Sequence, residues 1–136
     1  MWTDWRALEP RLTLSPVVLA ELLDGGQAFR WWRQPDDSWM GQWRQEIAQL
    51  RCGRHRVIEW RAPVTLAPQV ATSLPHYLNL HRQHHQALDR LPWRSDPHLA
   101  RCVQQFPGLR LLRQPFGETL LGFLCSATKQ IVQIKQ

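Results

Sequence analysis

At 136 residues, 43% of them hydrophobic, the chain is long enough for one domain with a buried core and short for two, and wholesale disorder is excluded. The net charge is +6, from 17 basic against 11 acidic side chains, and every basic residue except Lys129 and Lys135 is an arginine. Arginine forks grip phosphates and stack on bases, so the bias suits a nucleic-acid partner; GC-rich codons would produce the same bias. The cysteines, Cys52, Cys102 and Cys125, are odd in number, far apart and without a CxxC, which argues against a disulfide framework or thiolate metal site and for a reducing compartment. Asp4 and Glu9 interrupt the first residues, so no signal peptide is expected, and the longest apolar run, Leu120 to Cys125, is far short of a membrane span. A soluble, cytoplasmic protein is the expectation.

In chain order, residues 15 to 24 predict a helix, with Ser15 as its cap, Pro16 in its first turn and Gly25-Gly26 as its stop. Gln27–Gln34, Ser38–Arg44, Glu46–Cys52 and His55–Arg61 then read as four strands of an antiparallel meander, with turns at Pro35-Asp36-Asp37 and Gly53-Arg54. In the last strand Val57, Glu59 and Arg61 alternate with Ile58 and Trp60, as in a sheet with one wet face. Residues 68 to 90 predict one or two helices, kinked or divided at Pro75. Ser95 caps a helix from Pro97 to Phe106, stopped by Pro107-Gly108. Residues 115 to 136 read as a helix, a break near Ser126–Thr128 and a second helix start. The class is α+β, sheet first and helices after. Leu120, Leu121, Phe123, Leu124, Ile131, Val132 and Ile134 give the last helices two broad apolar faces, of which this chain can cover one, so a partner or further polypeptide is expected there.

Side-chain chemistry is sparse. Eight tryptophans, Trp2, Trp5, Trp31, Trp32, Trp39, Trp43, Trp60 and Trp93, suit core packing and a sheet face, with one or two left to stack on bases. His81 and His85 would share a helix face near His84, His76 and His98; without HExxH or a converging carboxylate they read as solvated, and no metal or cofactor is expected. Asp36-Asp37 suits a turn, Glu118 and Asp24 stand isolated, and the absence of any GxG excludes a dinucleotide fingerprint.

Three runs carry more. Gly26-Gln27-Ala28-Phe29-Arg30-Trp31, with Trp39 beyond, resembles the GQxFRW strand entry of the 8-oxoguanine DNA glycosylase family. Phe106-Pro107-Gly108-Leu109-Arg110-Leu111-Leu112-Arg113-Gln114-Pro115 is similar to that family's F-x-G-[VL]-R-L-L-R-Q run, and Leu121 to Ser126 to its F-[IL]-C-S helix. The resemblance covers residues 12 to 136. It implies a twisted antiparallel sheet with helices, like the TATA-binding-protein fold, over residues 1–114, and the first, truncated part of a helical catalytic domain over 115–136. It also implies damaged double-stranded DNA as partner and, as a second partner, the remainder of a helix-hairpin-helix domain. In that family a lysine of the helical domain attacks the sugar of a flipped base and can cleave the strand through a Schiff base. The location implied is the nucleoid in a bacterium or the nucleus in a eukaryote.

Oxidised guanine carries an N7–H donor where guanine has an acceptor. A fixed carbonyl opposite it bonds the lesion and faces a lone pair in the normal base, and leaving such a buried group unpaired costs about 1–3 kcal/mol. By resemblance Gly26 supplies that carbonyl, and Gly25 suffices as the helix cap. Gln27 and Phe29 are expected beside it, with Phe29 and Trp31 as core or wall residues. Thr128, Lys129, Gln130 and Gln133 occupy positions that hold DNA in the family, but Gln133 stands where animal members have an arginine, which puts reading of the opposite cytosine in doubt. Neither Lys129 nor Lys135 matches the catalytic lysine, so these residues by themselves are expected to be inactive, as a fragment. An alkylated-base glycosylase and a non-catalytic DNA- or partner-binding module are the alternatives.

Overall fold

The computed structural model describes residues 1–80, 84–127, 130 and 133, with His85 described in its backbone only. Helix α1, Pro16–Asp24, begins as its sequence predicts: Ser15 Oγ accepts the Val18 N–H at 3.2 Å, Pro16 sits in the first turn, and the Gly25 N–H returns to the Glu21 carbonyl. Its buried stripe is Val18, Leu19, Leu22 and Leu23.

Five antiparallel strands follow the order β1-β5-β4-β3-β2: β1 Arg6–Ala7, β2 Trp31–Arg33, β3 Trp39–Trp43, β4 Glu46–Cys52 and β5 Ile58–Arg61. The four-strand meander is present, and a fifth strand joins it: β1 is two exposed residues paired with Trp60 and Glu59, too short to leave a period in the sequence. Two strands start several residues later than expected. The first starts at Trp31, because Gln27–Arg30 is irregular: Gln27 makes side-chain contacts instead, and only the Arg30 carbonyl reaches β3, accepting the Gln42 N–H at 3.1 Å. The last starts at Ile58, because Arg54–Arg56 form a tight turn in which His55 and Arg56 take left-handed φ values of 54° and 61°.

One face of the sheet supplies Trp31, Trp39, Trp43, Ala48, Leu50, Ile58 and Trp60 to the core, against α1 and helix α2, Ala67–Tyr77. Gly41 is required there: a Cβ would lie 2.2 Å from the Trp31 ring. The other face is polar, with Arg51 paired to Glu59 at 2.8 Å and Arg61 bonded to Gln49 at 2.6 Å. Trp5 stacks on both guanidiniums, at 4.2 and 4.6 Å. The tryptophans are thus divided between core and wet face, and Trp32 is exposed at the sheet edge.

Pro75 does not divide the helical region. It sits in the last turn of α2, and the chain turns just beyond, where Asn79 takes a left-handed φ of 55°; α3 follows at His84–Asp89. Helix α4, Pro97–Gln105, is capped by Asp96 rather than Ser95. The Asp96 carboxylate accepts the N–H groups of His98 and Leu99 at 2.9 and 3.0 Å, while Ser95 Oγ donates to the Pro92 carbonyl. Gly108, at φ 87°, makes the stop. Helix α5 is Phe116–Ser126; of the expected second helix only Gln130 and Gln133 are described. Among the described residues no helix is long and apolar enough to cross a membrane.

Candidate functional site

The three sequence runs meet at one cleft of about 730 Å³, between the 26–32 segment, the extended 111–114 segment and α5. Gly25 closes α1 by itself, leaving Gly26 with a φ of 105° that only glycine adopts freely. Among the described residues no donor reaches the Gly26 carbonyl.

Gln27 joins the first run to the second. Its side-chain Nε2 donates to the Arg110 carbonyl and its Oε1 accepts the Leu112 N–H, both at 3.0 Å, while Gln114 Nε2 donates to the Gln27 carbonyl. The amide thus acts as a peptide unit would in a ladder, satisfying backbone groups of a segment that has no strand partner. Phe29 joins the first run to the third. It is half-buried rather than core, and its ring lies over Gly122 of α5, where a Cβ would come within 2.8 Å. Trp31, fully buried, is the core residue of the pair.

Arg30 completes the attachment. It pairs with Glu118 at 3.0 Å, and Glu118 also accepts the Arg44 N–H at 2.8 Å, so α5 is tied to the β3–β4 turn. Glu118 is therefore not isolated; its partners are remote in sequence, and no local spacing shows them. The sheet adds Trp32 and Gln42 to the lining, and Tyr77 reaches it from α2. The Tyr77 hydroxyl accepts Trp31 Nε1–H at 3.0 Å, its ring stacks on Trp43 at 4.8 Å, and burial pushes its pKa up to about 12.

The cleft therefore presents aromatic and aliphatic walls, an open carbonyl and amide groups, and one ion pair. The hydroxyl and thiol groups of its lining, among the described residues, are those of Tyr77, Thr119, Cys125 and Ser126. Gly26, Gln27 and Phe29 come together as the sequence suggests, but the Gln27 side chain works as a clamp on the second run. Gln130 and Gln133 are exposed past the end of α5 and do not line the cleft; Thr128 and Lys129 lie outside the described residues. So do His81 and the His85 side chain, and among the described residues no group of three or more metal-ligating side chains converges.

The sequence model of the family described as 8-oxoguanine DNA glycosylase, N-terminal domain, matches residues 11–120. This chain belongs to that family. Solved structures agree. The apo form of the Clostridium acetobutylicum 8-oxoguanine glycosylase/lyase is 27% identical and superposes with a TM-score of 0.71 over 86% of this chain and 39% of its own. The same enzyme in complex with dsDNA containing cytosine opposite to 8-oxoG is 29% identical, with a TM-score of 0.68 over the same shares. MBOgg1 in complex with a low affinity DNA ligand is 25% identical, with a TM-score of 0.71 over 98% of this chain and 46% of its own. The chain thus spans less than half the length of these glycosylases. The family match takes in the first two runs whole and ends at Leu120, inside α5.

Proposed function

We propose that this chain is the lesion-recognition and DNA-positioning portion of an 8-oxoguanine DNA glycosylase/AP lyase acting in base-excision repair. The observation that carries this reading is the cleft itself, where Gly26, held at a conformation reserved for glycine, meets both other family runs. Its carbonyl, unclaimed by the described residues, is the acceptor for N7–H of the oxidised base; guanine would set a lone pair against it. Phe29 walls the base, and Gln27 holds the 110–112 segment in place. Thr128, Lys129, Gln130 and Gln133 contact the DNA backbone and the opposite base, working where the DNA is, in nucleoid or nucleus.

Residues 1–114 form the recognition domain, and 115–136 open a helical domain whose remainder covers α5. That helix presents Phe116, Leu121, Phe123 and Leu124 to solvent, each more than half exposed. The strand-cleaving chemistry belongs to that remainder. By the family resemblance, neither of its lysines, Lys129 or Lys135, stands in the place of the Schiff-base nucleophile.

The test is a two-part assay on the 136-residue chain. Duplex carrying 8-oxoguanine should be bound, with affinity falling as salt rises. Borohydride should trap no covalent adduct, and no strand should be cut. Absence of any duplex binding at low salt overturns the positioning role; a trapped adduct overturns the assignment of the chemistry elsewhere.

A further inference from the structure

At the opposite end of β4 from the cleft, three basic residues in a row form the tip of the β4–β5 hairpin: Arg54, His55 and Arg56, all exposed. The cleft takes in Gln42 and is tied to the β3–β4 turn through Arg44, so the seven residues of β4, about 20 Å, separate the two places.

The tip has a backbone that Arg56 does not favour. His55 lies at φ 54°, ψ 28° and Arg56 at φ 61°, and the Val57 N–H returns to the Arg54 carbonyl at 3.2 Å. Two consecutive left-handed residues make a type I′ turn, the form that follows the twist of paired strands and that Asn-Gly adopts most readily. Histidine tolerates that region better than most residues with a Cβ, whereas arginine is disfavoured there. The surroundings enforce the shape: the Arg56 carbonyl accepts the Leu14 N–H at 3.0 Å, the Gly53 N–H bonds the Val57 carbonyl at 2.8 Å, and Ile58 N–H bonds Leu12 at 2.8 Å.

The charge at the tip is also left open. Among the described residues no carboxylate pairs with Arg54, His55 or Arg56, and Glu59, which lies against Gly53, is engaged by Arg51 through both Nε and a terminal nitrogen at 2.8 Å. A turn fixed by these hydrogen bonds holds two unpaired arginines in a set position on an exposed tip, the arrangement that a phosphate contact needs.

We propose that the Arg54-His55-Arg56 tip is a second contact for the phosphate backbone of duplex DNA, separate from the cleft and indifferent to base identity. The proposal rests on the reading that the chain binds duplex DNA. Arg54 and Arg56 each meet a phosphate, adding to general affinity and to the salt dependence of binding, and leaving discrimination between oxidised and normal guanine to the cleft.

Two double variants of the 136-residue chain test this by anisotropy titration of labelled 20-base-pair duplexes, one undamaged and one carrying 8-oxoguanine, together with melting curves. Arg54→Gln with Arg56→Gln should weaken binding to both duplexes about fivefold or more and lower the slope of log affinity against log salt by about two. His55→Asn with Arg56→Gly installs the turn's preferred residues; it should raise Tm while weakening both duplexes, a pairing that a purely structural role would not give. The ratio of the two affinities should not move in either variant. If wild type binds and neither variant weakens it, the tip is not a DNA contact and the cleft reading stands. If weakening is confined to the lesion duplex, the tip belongs to recognition and the proposal is wrong. If wild type binds neither duplex, this proposal and the proposed function fall together.

Discussion

The first 78 residues and those after them are built on different terms. Among the described residues every buried core side chain, from Leu8 to Leu78, belongs to the sheet, to α1 and α2 or to the segments next to them. Helices α4 and α5 bury no residue, and among the described residues only Leu80, Phe106, Leu109 and Leu112 of the later part pack against the core. The first region closes on itself. The second is attached through a few directed contacts: the Gln27 clamp, Phe29 on Gly122, and Glu118 bridging Arg30 and Arg44. The cleft lies on the seam, so its rigid wall comes from the sheet region and its opposing wall from a helix held by polar bonds. A site divided in this way can have one wall altered with little effect on the stability of the other.

That division is open to attack. Trp31→Ala removes a fully buried ring packed on Gly41 and stacked with Trp43, and should cost about 3–5 kcal/mol in denaturant unfolding, enough to lose the first region altogether. Gln27→Ala leaves the Arg110 carbonyl and Leu112 N–H without their partner. It should cost about 2 kcal/mol, with faster amide hydrogen exchange at Leu112 and little change in the sheet. Gly26→Pro imposes a φ near −65° where the chain takes 105°, moving the carbonyl, and should reduce discrimination between oxidised and normal guanine about tenfold. Glu118→Gln, at a half-exposed pair, should cost less than about 1 kcal/mol, less still in high salt, while loosening α5.

Alkaline pH probes the packing around Tyr77. The Tyr77 pKa, raised by burial from 10.0 to about 12, means that the unfolded chain loses this proton first. Its contribution is fully present below pH 10 and should fall as pH rises toward 12; Tyr77→Phe should flatten that part of the stability profile.

Sequence reading reached the first region better than the second for the same reason. Ser15, Pro16 and Gly25 signal α1 by local chemistry, and the alternation in β3 and β5 reports a half-buried sheet. The two-residue strand β1 has no period to detect, and Gln27 reads as a strand residue because nothing nearby shows that its amide bonds Arg110 and Leu112. Asp96 displaced Ser95 as cap because a carboxylate one position nearer the helix can accept two amide protons. At the cleft, Gly26 and Phe29 were legible from the GQxFRW resemblance. Tyr77, Trp32 and Glu118 were not, since each enters only through tertiary folding.

The central claim is that the Gly26-lined cleft reads the oxidised base, and the most direct measurement is the ratio of two affinities. Labelled duplexes that differ only in 8-oxoguanine or guanine at one position, opposite cytosine, are titrated with the 136-residue chain at fixed salt. The account predicts tighter binding of the lesion duplex by about tenfold, the equivalent of one buried acceptor left unpaired by guanine. Equal affinities for the two duplexes would contradict it.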